Sequence, residues 1–190
     1  MAYMKKIYRF ANAIEVQEYH SGRYGAPGMG RQKKQKPTPE QIKKKNQRHK
    51  TDTCSAVPLE DHLMFDPKAN ISRIAAPDAR GSKAAKLIYE IQKSIPAPVT
   101  DNDGIFLNLT DIKLITGRHH QIRVQMSNAN LPILGDKKYA PEYVQTVSKL
   151  LKVPHTALCA CELCFTHPVT NDIIDLRVEP QGMWYSFFKN

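Results

Sequence analysis

The chain has 190 residues, 41% hydrophobic and 24% charged, enough for one domain with a core or a small domain plus an arm. No apolar run approaches the ~20 residues that cross a bilayer. The opening MAYMKKIYRFANAIEV is too interrupted by charge for a secretory signal, so a soluble cytoplasmic protein with no membrane partner is expected. The net charge of +10 sits wholly in residues 1–50, with 13 Lys/Arg against 3 Glu, while residues 51–190 carry 15 Lys/Arg and 15 Asp/Glu.

Residues 1–20 can form one strand or a short helix. The next thirty, SGRYGAPGMGRQKKQKPTPEQIKKKNQRHK, have Gly, Pro and Lys and almost no core-forming side chains. Thr38-Pro39-Glu40-Gln41 has the order of a helix start: an N-cap threonine, proline at the first helical position and glutamine at the capping-box position. The helix it predicts, to about Lys50, is polar all round and has no face to bury. Such a basic block, with Lys43, Lys44 and Lys45 as candidate RNA contacts, suits a polyanion partner. It equally suits a solvated tail.

From Cys54 the character changes. VPLEDHLMFDP has short apolar positions and a proline stop. NISRIAAPDARGSKAAKLIYEIQKS predicts a strand, a turn at Asp78–Gly81 and a second strand through Leu87, Tyr89 and Ile91. GIFLNLTDIKLITG alternates as a strand does, and Gly117 ends it. HHQIRVQMSNA, with Ile122 and Met126 four apart, predicts a short helix, LPILGDKKYAPE a loop, and EYVQTVSKLLK a second helix with an apolar stripe. TALCACELCFTHPVTNDIIDLRVEP predicts two strands around a His-Pro turn. The pattern is α+β, with a mainly antiparallel, mixed sheet and a few short helices. The expected division is a basic arm over 1–53 and a folded part over 54–190.

Three of the four cysteines, Cys159, Cys161 and Cys164, fall in CACELC. With His155 or His167 they could serve zinc, although zinc sites usually recur as two spaced pairs. The alternation Ala157, Cys159, Cys161, Leu163, Phe165 also fits a buried strand with cysteine as a small hydrophobe.

The stretch TGRHHQIRVQMSNANLPILGDKKY resembles the signature of the large-subunit-type (RluA) family of RNA pseudouridine synthases: TGR-x-HQIRVH-L, then PI-x-GD and an aromatic. Thr116, Gly117, Arg118, His120 through Val124, Pro132, Ile133, Gly135, Asp136 and Tyr139 match. His119 takes the variable place, Gln125 replaces a histidine, and Asn130 stands where a glycine usually ends the helix. The segments VPLEDHLMFDPKANISRI, GSKAAKLIYEI and ALCACELCFTHPVTNDIIDLRV also resemble family segments, with Cys159 in place of a histidine. The resemblance covers roughly residues 56–188.

The resemblance implies a partial catalytic domain that converts uridine to pseudouridine in ribosomal or transfer RNA, without metal or cofactor. In the family an aspartate acts on the sugar, an arginine pairs with it, and an apolar pocket with a tyrosine holds the uracil. Arg123 matches the arginine and Ile122 a pocket neighbour. Arg118 is a candidate for phosphate or for holding the loop, and His120, Lys137 and Lys138 are candidate RNA contacts.

The H/G-R-L-D-x-x-T-S-G motif that carries the aspartate is not in the chain. Asp52 echoes it only faintly, and Asp61, Asp66 and Asp136 fall in other matched segments. The K-x-Y tyrosine is likewise expected to be missing. Residues 1–50 resemble instead the opening of replication-initiator-type proteins of plasmids and phages in Gram-positive bacteria. A truncated synthase, inactive alone, follows, or a non-catalytic nucleic-acid binder, or a half-enzyme completed by another chain. A half-domain should also leave bare edges on the strands around residues 105–115 and 157–165. Arg123 should then face water or recruit a substitute such as Asp136 or Glu60.

Overall fold

In a computed structural model of the chain, residues 4–15, 56–98 and 105–189 are described. They form strands β1 (Met4–Glu15), β2 (Val57–Asp66), β3 (Ile71–Ile74), β4 (Lys83–Pro96) and β5 (Ile105–Leu114), and helices α1 (Gln121–Asn128) and α2 (Glu142–Leu150). Strands β6 (Leu158–Thr166) and β7 (Ile173–Arg177) and the short helix α3 (Met183–Ser186) follow. The sheet runs β3-β2-β4-β5-β1-β6-β7, and every described pairing is antiparallel. The Lys43–Lys45 run, Asp52, Cys54 and the helix expected over 39–50 lie outside the described residues.

The position of β1 changes the expected organisation. Residues 4–15 belong to the sheet, where β1 pairs with β5 on one side and β6 on the other. The bare edges expected on β5 and β6 are therefore filled: β5 lies between β4 and β1, and β6 between β1 and β7. Alternation explains why β1 fits. Phe10 and Asn12 lie on one face and Ala11 and Ala13 on the other, and all four are buried. Arg9, whose charge conceals the pattern in the sequence, is neutralised across the strand pair. Its Nε and Nη2 donate to Asp111 at 2.6 and 2.8 Å, and Nη1 reaches the Tyr185 hydroxyl at 3.4 Å. That carboxylate raises the Arg9 pKa.

VPLEDHLMFD proves to be a full strand, and β2 and β3 form a hairpin whose turn is fixed by Asp66, accepting from the N–H groups of Lys68 and Ala69. Asp66 is thus structural. The β1–β5–β4–β2 registers put Tyr8, Phe10, Ile112, Leu87, Ala85 and Leu63 on one face, which α1 covers by packing Val124 against Leu63 and Ala85. The opposite face carries Arg9 and Asp111 and is joined by Tyr185 of α3. Phe10, Leu107, Ile112, Leu134 and Val144 are among the fully buried side chains of the main core.

Because Phe10 is fully buried at the sheet centre, Phe10→Ala should cost about 3–5 kcal/mol. The measurement is a urea unfolding curve, which should move to a lower midpoint with an unchanged slope.

Candidate RNA-facing site

The TGR-x-HQIRV stretch bends the chain from β5 into α1, and the structure shows what its polar residues hold. Thr116 Oγ1 accepts from the Lys86 N–H at 2.8 Å and donates to Gln121 Oε1 at 2.9 Å, which also accepts from the Arg118 N–H. Gln121 Nε2 donates to Lys86 O and to Gln125 Oε1, and Gln125 Nε2 donates to Asp61 Oδ2 at 2.8 Å. Gln121 and Gln125 are 2% and 0% exposed, so these bonds are obligatory rather than optional. They tie α1 to β4 and β2. Gln125, in the place of the family's histidine, is part of this brace, and Asp61 is its terminus.

Arg123 points from α1 to the loop that follows it. Its Nε and Nη2 form a two-pronged pair with Asp136, at 2.7 Å to Oδ2 and 2.6 Å to Oδ1. The Asp136 side chain is 1% exposed and that of Arg123 19%. Burial pushes the Asp136 carboxyl up. The Arg123 guanidinium and the Lys138 and Tyr139 N–H groups outweigh it and hold the pKa below the ordinary value. The hydrogen bond to Asp136 raises the Arg123 pKa. Of the two substitutes expected for the missing aspartate, Asp136 is the one that Arg123 engages. Glu60 pairs with Lys86.

The loop that brings Asp136 here depends on two left-handed residues. Asn130 ends α1 at φ 58°, the conformation asparagine tolerates. Gly135 has φ 71°, and a Cβ there would collide with the His155 carbonyl.

His120 enters α1 in a left-handed conformation, φ 53°. Arg123 Nη1 donates to its Nε2 at 3.2 Å, so Nδ1 carries the proton and donates to the Tyr139 hydroxyl at 2.8 Å. The Tyr139 oxygen also accepts from the Ser72 N–H, and its ring lies 4.9 Å from the Arg123 guanidinium. Burial, then the positive charge of Arg123, lowers the His120 pKa to about 4. The imidazole is neutral at pH 7.

Arg118, Lys137 and Lys138 are exposed around this cluster. Arg118 Nε holds the Ala84 carbonyl at 2.9 Å and Lys138 Nζ the Asn70 carbonyl at 2.9 Å. Ile122 is 6% exposed and packs in the main core. Cys159, Cys161 and Cys164 are free thiols on β6. Burial, then neighbouring Cys159, pushes the Cys161 thiol up to about 11. Among the described residues no three His, Cys, Asp or Glu side chains gather as a metal set. The sequence reading missed Tyr8. Lys6-Ile7-Tyr8 has the Lys-x-Tyr spacing expected to be absent, and it lies on β1 opposite Ile112. The signal was legible, but it sat in a stretch assigned to an arm.

Antiparallel sheet, crossing helix and TGR-to-GD loop together define a domain of the pseudouridine synthase type. No protein-family model matches the chain. It is 36% identical over 100 residues to the dual-specificity RNA pseudouridine synthase RluA of Pasteurella multocida, 52% of this chain and 39% of that protein. It is 26% identical over 136 residues to the tRNA pseudouridine synthase C of Vibrio vulnificus, 68% of this chain and 56% of that protein. The solved structure of human RNA pseudouridylate synthase domain containing 1 shares the fold, with a TM-score of 0.57 at 15% identity over 93% of this chain and 55% of that one. The chain is thus similar to RluA-type RNA pseudouridine synthases, and it spans less than two thirds of each of these relatives.

Two outcomes follow. Asp136→Ala leaves Arg123 without a carboxylate in a half-buried site and should destabilise the fold by about 3–5 kcal/mol, measured by urea unfolding. The second concerns pH. The unfolded chain protonates His120 near its ordinary 6.5 and the folded chain only near 4. The His120 contribution is therefore intact above about pH 6.5 and is lost as pH falls toward 4. Ring NMR titration should place the His120 transition near 4, and His120→Gln should flatten the loss of stability in that window.

Proposed function

We propose that this chain is a cytoplasmic RNA-binding member of the family that forms the arginine-and-tyrosine wall of a uridine-isomerising site on ribosomal or transfer RNA. It isomerises uridine only when a carboxylate from outside these 190 residues faces that wall. The observation that carries this reading is the state of Asp136. Both its oxygens are held by Arg123, and Oδ1 also accepts two N–H groups. With its side chain 1% exposed, a carboxylate so engaged is closed off from a sugar. Asp61 and Asp66 are committed to Gln125 and to the β2–β3 turn. The chemistry needs a base turned out of the helix, its bond to nitrogen broken and a bond to carbon formed. Arg123, whose Nε and Nη2 hold Asp136, would meet the incoming carboxylate with Nη1, now directed at His120. Tyr8, on the Lys-x-Tyr strand, would hold the uracil. No metal or cofactor is called on.

A second reading, a non-catalytic nucleic-acid binder, is favoured by the charge: the whole excess lies in residues 1–50 and the rest of the chain is neutral. One experiment serves both. Purified chain incubated with ribosomal and transfer RNA should bind but give no pseudouridine by mass spectrometry. Pseudouridine that disappears in Asp52→Ala would overturn the need for an outside carboxylate. Binding should weaken steeply with salt. Deleting residues 31–50, with nine Lys/Arg and one Glu, should remove most of that salt dependence while β1 stays in place. An unchanged slope would show the basic block to be a solvated tail.

A further inference from the structure

Next to the Arg123–Asp136 pair the rings do not pack inward. Phe65, on β2, is 45% exposed, and its ring centroid lies 4.1 Å from that of His119. His119 lies 3.8 Å from His120, whose other neighbour is the edge-on ring of Tyr139 at 5.5 Å. The rings are held in place. Ser72 Oγ donates to the His119 carbonyl at 2.8 Å and lies 2.9 Å from its Nδ1, and Ser72 is the cross-strand partner of Phe65. His120 is held from both ring nitrogens. A half-exposed phenylalanine on an ordered ladder of rings presents a flat apolar face whose rotamer entropy is already spent.

The surroundings are cationic. Arg118, next in sequence to His119 of the ladder, and Arg73, next to Ser72 that supports it, are exposed, as is Lys138. Just beyond Ser72 and Tyr139 an open groove of about 420 Å³ runs between β3 and α1, with Arg73, Lys138 and Ser127 on its walls. Flat rings interleaved with basic side chains are what an unpaired base and its phosphate require. Within the ladder His119 takes the variable place of the family signature and His120 a matched one.

We propose that the Phe65–His119–His120 ladder is a stacking platform for an unpaired base of the RNA, with Arg118, Arg73 and Lys138 holding the flanking phosphates. The proposal rests on the RNA-binding reading above and assigns it a surface that adjoins the Arg123–Asp136 pair through His120. The test uses the full chain and two RNAs with equal numbers of phosphates, a hairpin with an unpaired loop and a blunt duplex. Binding is read by fluorescence anisotropy, with 2-aminopurine in the loop to report stacking.

Phe65→Ala should weaken hairpin binding about tenfold, leave duplex binding unchanged and relieve the 2-aminopurine quenching. Phe65→Trp should keep or tighten hairpin binding. His119→Ala, which leaves Phe65 in place, should show a smaller loss of the same kind. Equal binding of both RNAs by wild type and by the Phe65 and His119 variants overturns the ladder while leaving RNA binding standing. Failure of the wild-type chain to bind either RNA overturns the RNA reading and the platform with it.

Discussion

Everything described in this chain depends on one long-range pairing, the insertion of β1 between β5 and β6. The register joins residues about a hundred positions apart on one side, Phe10 to Thr110 and Ala11 to Leu109, and still more distant ones on the other, Phe10 to Leu158. Without it β5 and β6 would each present an unpaired row of N–H and C=O groups. With it the sheet is continuous from β3 to β7, and α1 and α3 have faces to cover. The loop after α1 also reads off β1: the Leu134 N–H donates to Ala11 O, and Ala157 in turn donates to Leu134 O. The position of Asp136, two residues on, is therefore set by the same strand.

The Arg123–Asp136 pair is a consequence of that arrangement, and its energetics are those of a buried pair. Taking both charges from water costs several kcal/mol, which the two short bonds and the two N–H donors offset. The pair is thus weak support for stability in itself and strong support for geometry. It locks the 131–139 loop against α1, and through Tyr139 it locks β3, whose Ser72 N–H the phenol accepts. Asp136 and Tyr139 are local in sequence to Arg123, yet the network they complete reaches an edge strand that precedes them by more than sixty residues.

The α+β class, the α1 and α2 helices, the strands from β4 to β7 and the asparagine at the end of α1 were legible because each is written in local periodicity or turn chemistry. The seven-stranded order was not. β2 was concealed by two consecutive carboxylates in its middle, Glu60 pairing with Lys86 and Asp61 with Gln125 across the fold. A strand within residues 1–20 was one of two readings, with Tyr8, Phe10 and Asn12 in a strand period, but Lys5, Lys6 and Arg9 placed it in a basic arm and concealed its membership of the sheet. The signature residues announced a family site, and Asp136 was named as a possible partner of Arg123. The His119–Phe65 stack could not be read, because it needs the β2–β3 hairpin to bring residues 54 positions apart to within one ring's thickness.

Native-state amide hydrogen exchange tests the central claim most directly. If β1 is an inner strand, the amides of Ala11, which donates to Ala157 O, and of Phe10, flanked by Thr110 of β5 and Leu158 of β6, should exchange in the slowest class, together with those at the centre of β5. The account predicts a single protected unit running from β4 through β5 and β1 to β6. Rapid exchange over residues 4–15, with β5 still protected, would show that the strand is an arm after all and that the sheet ends at β5.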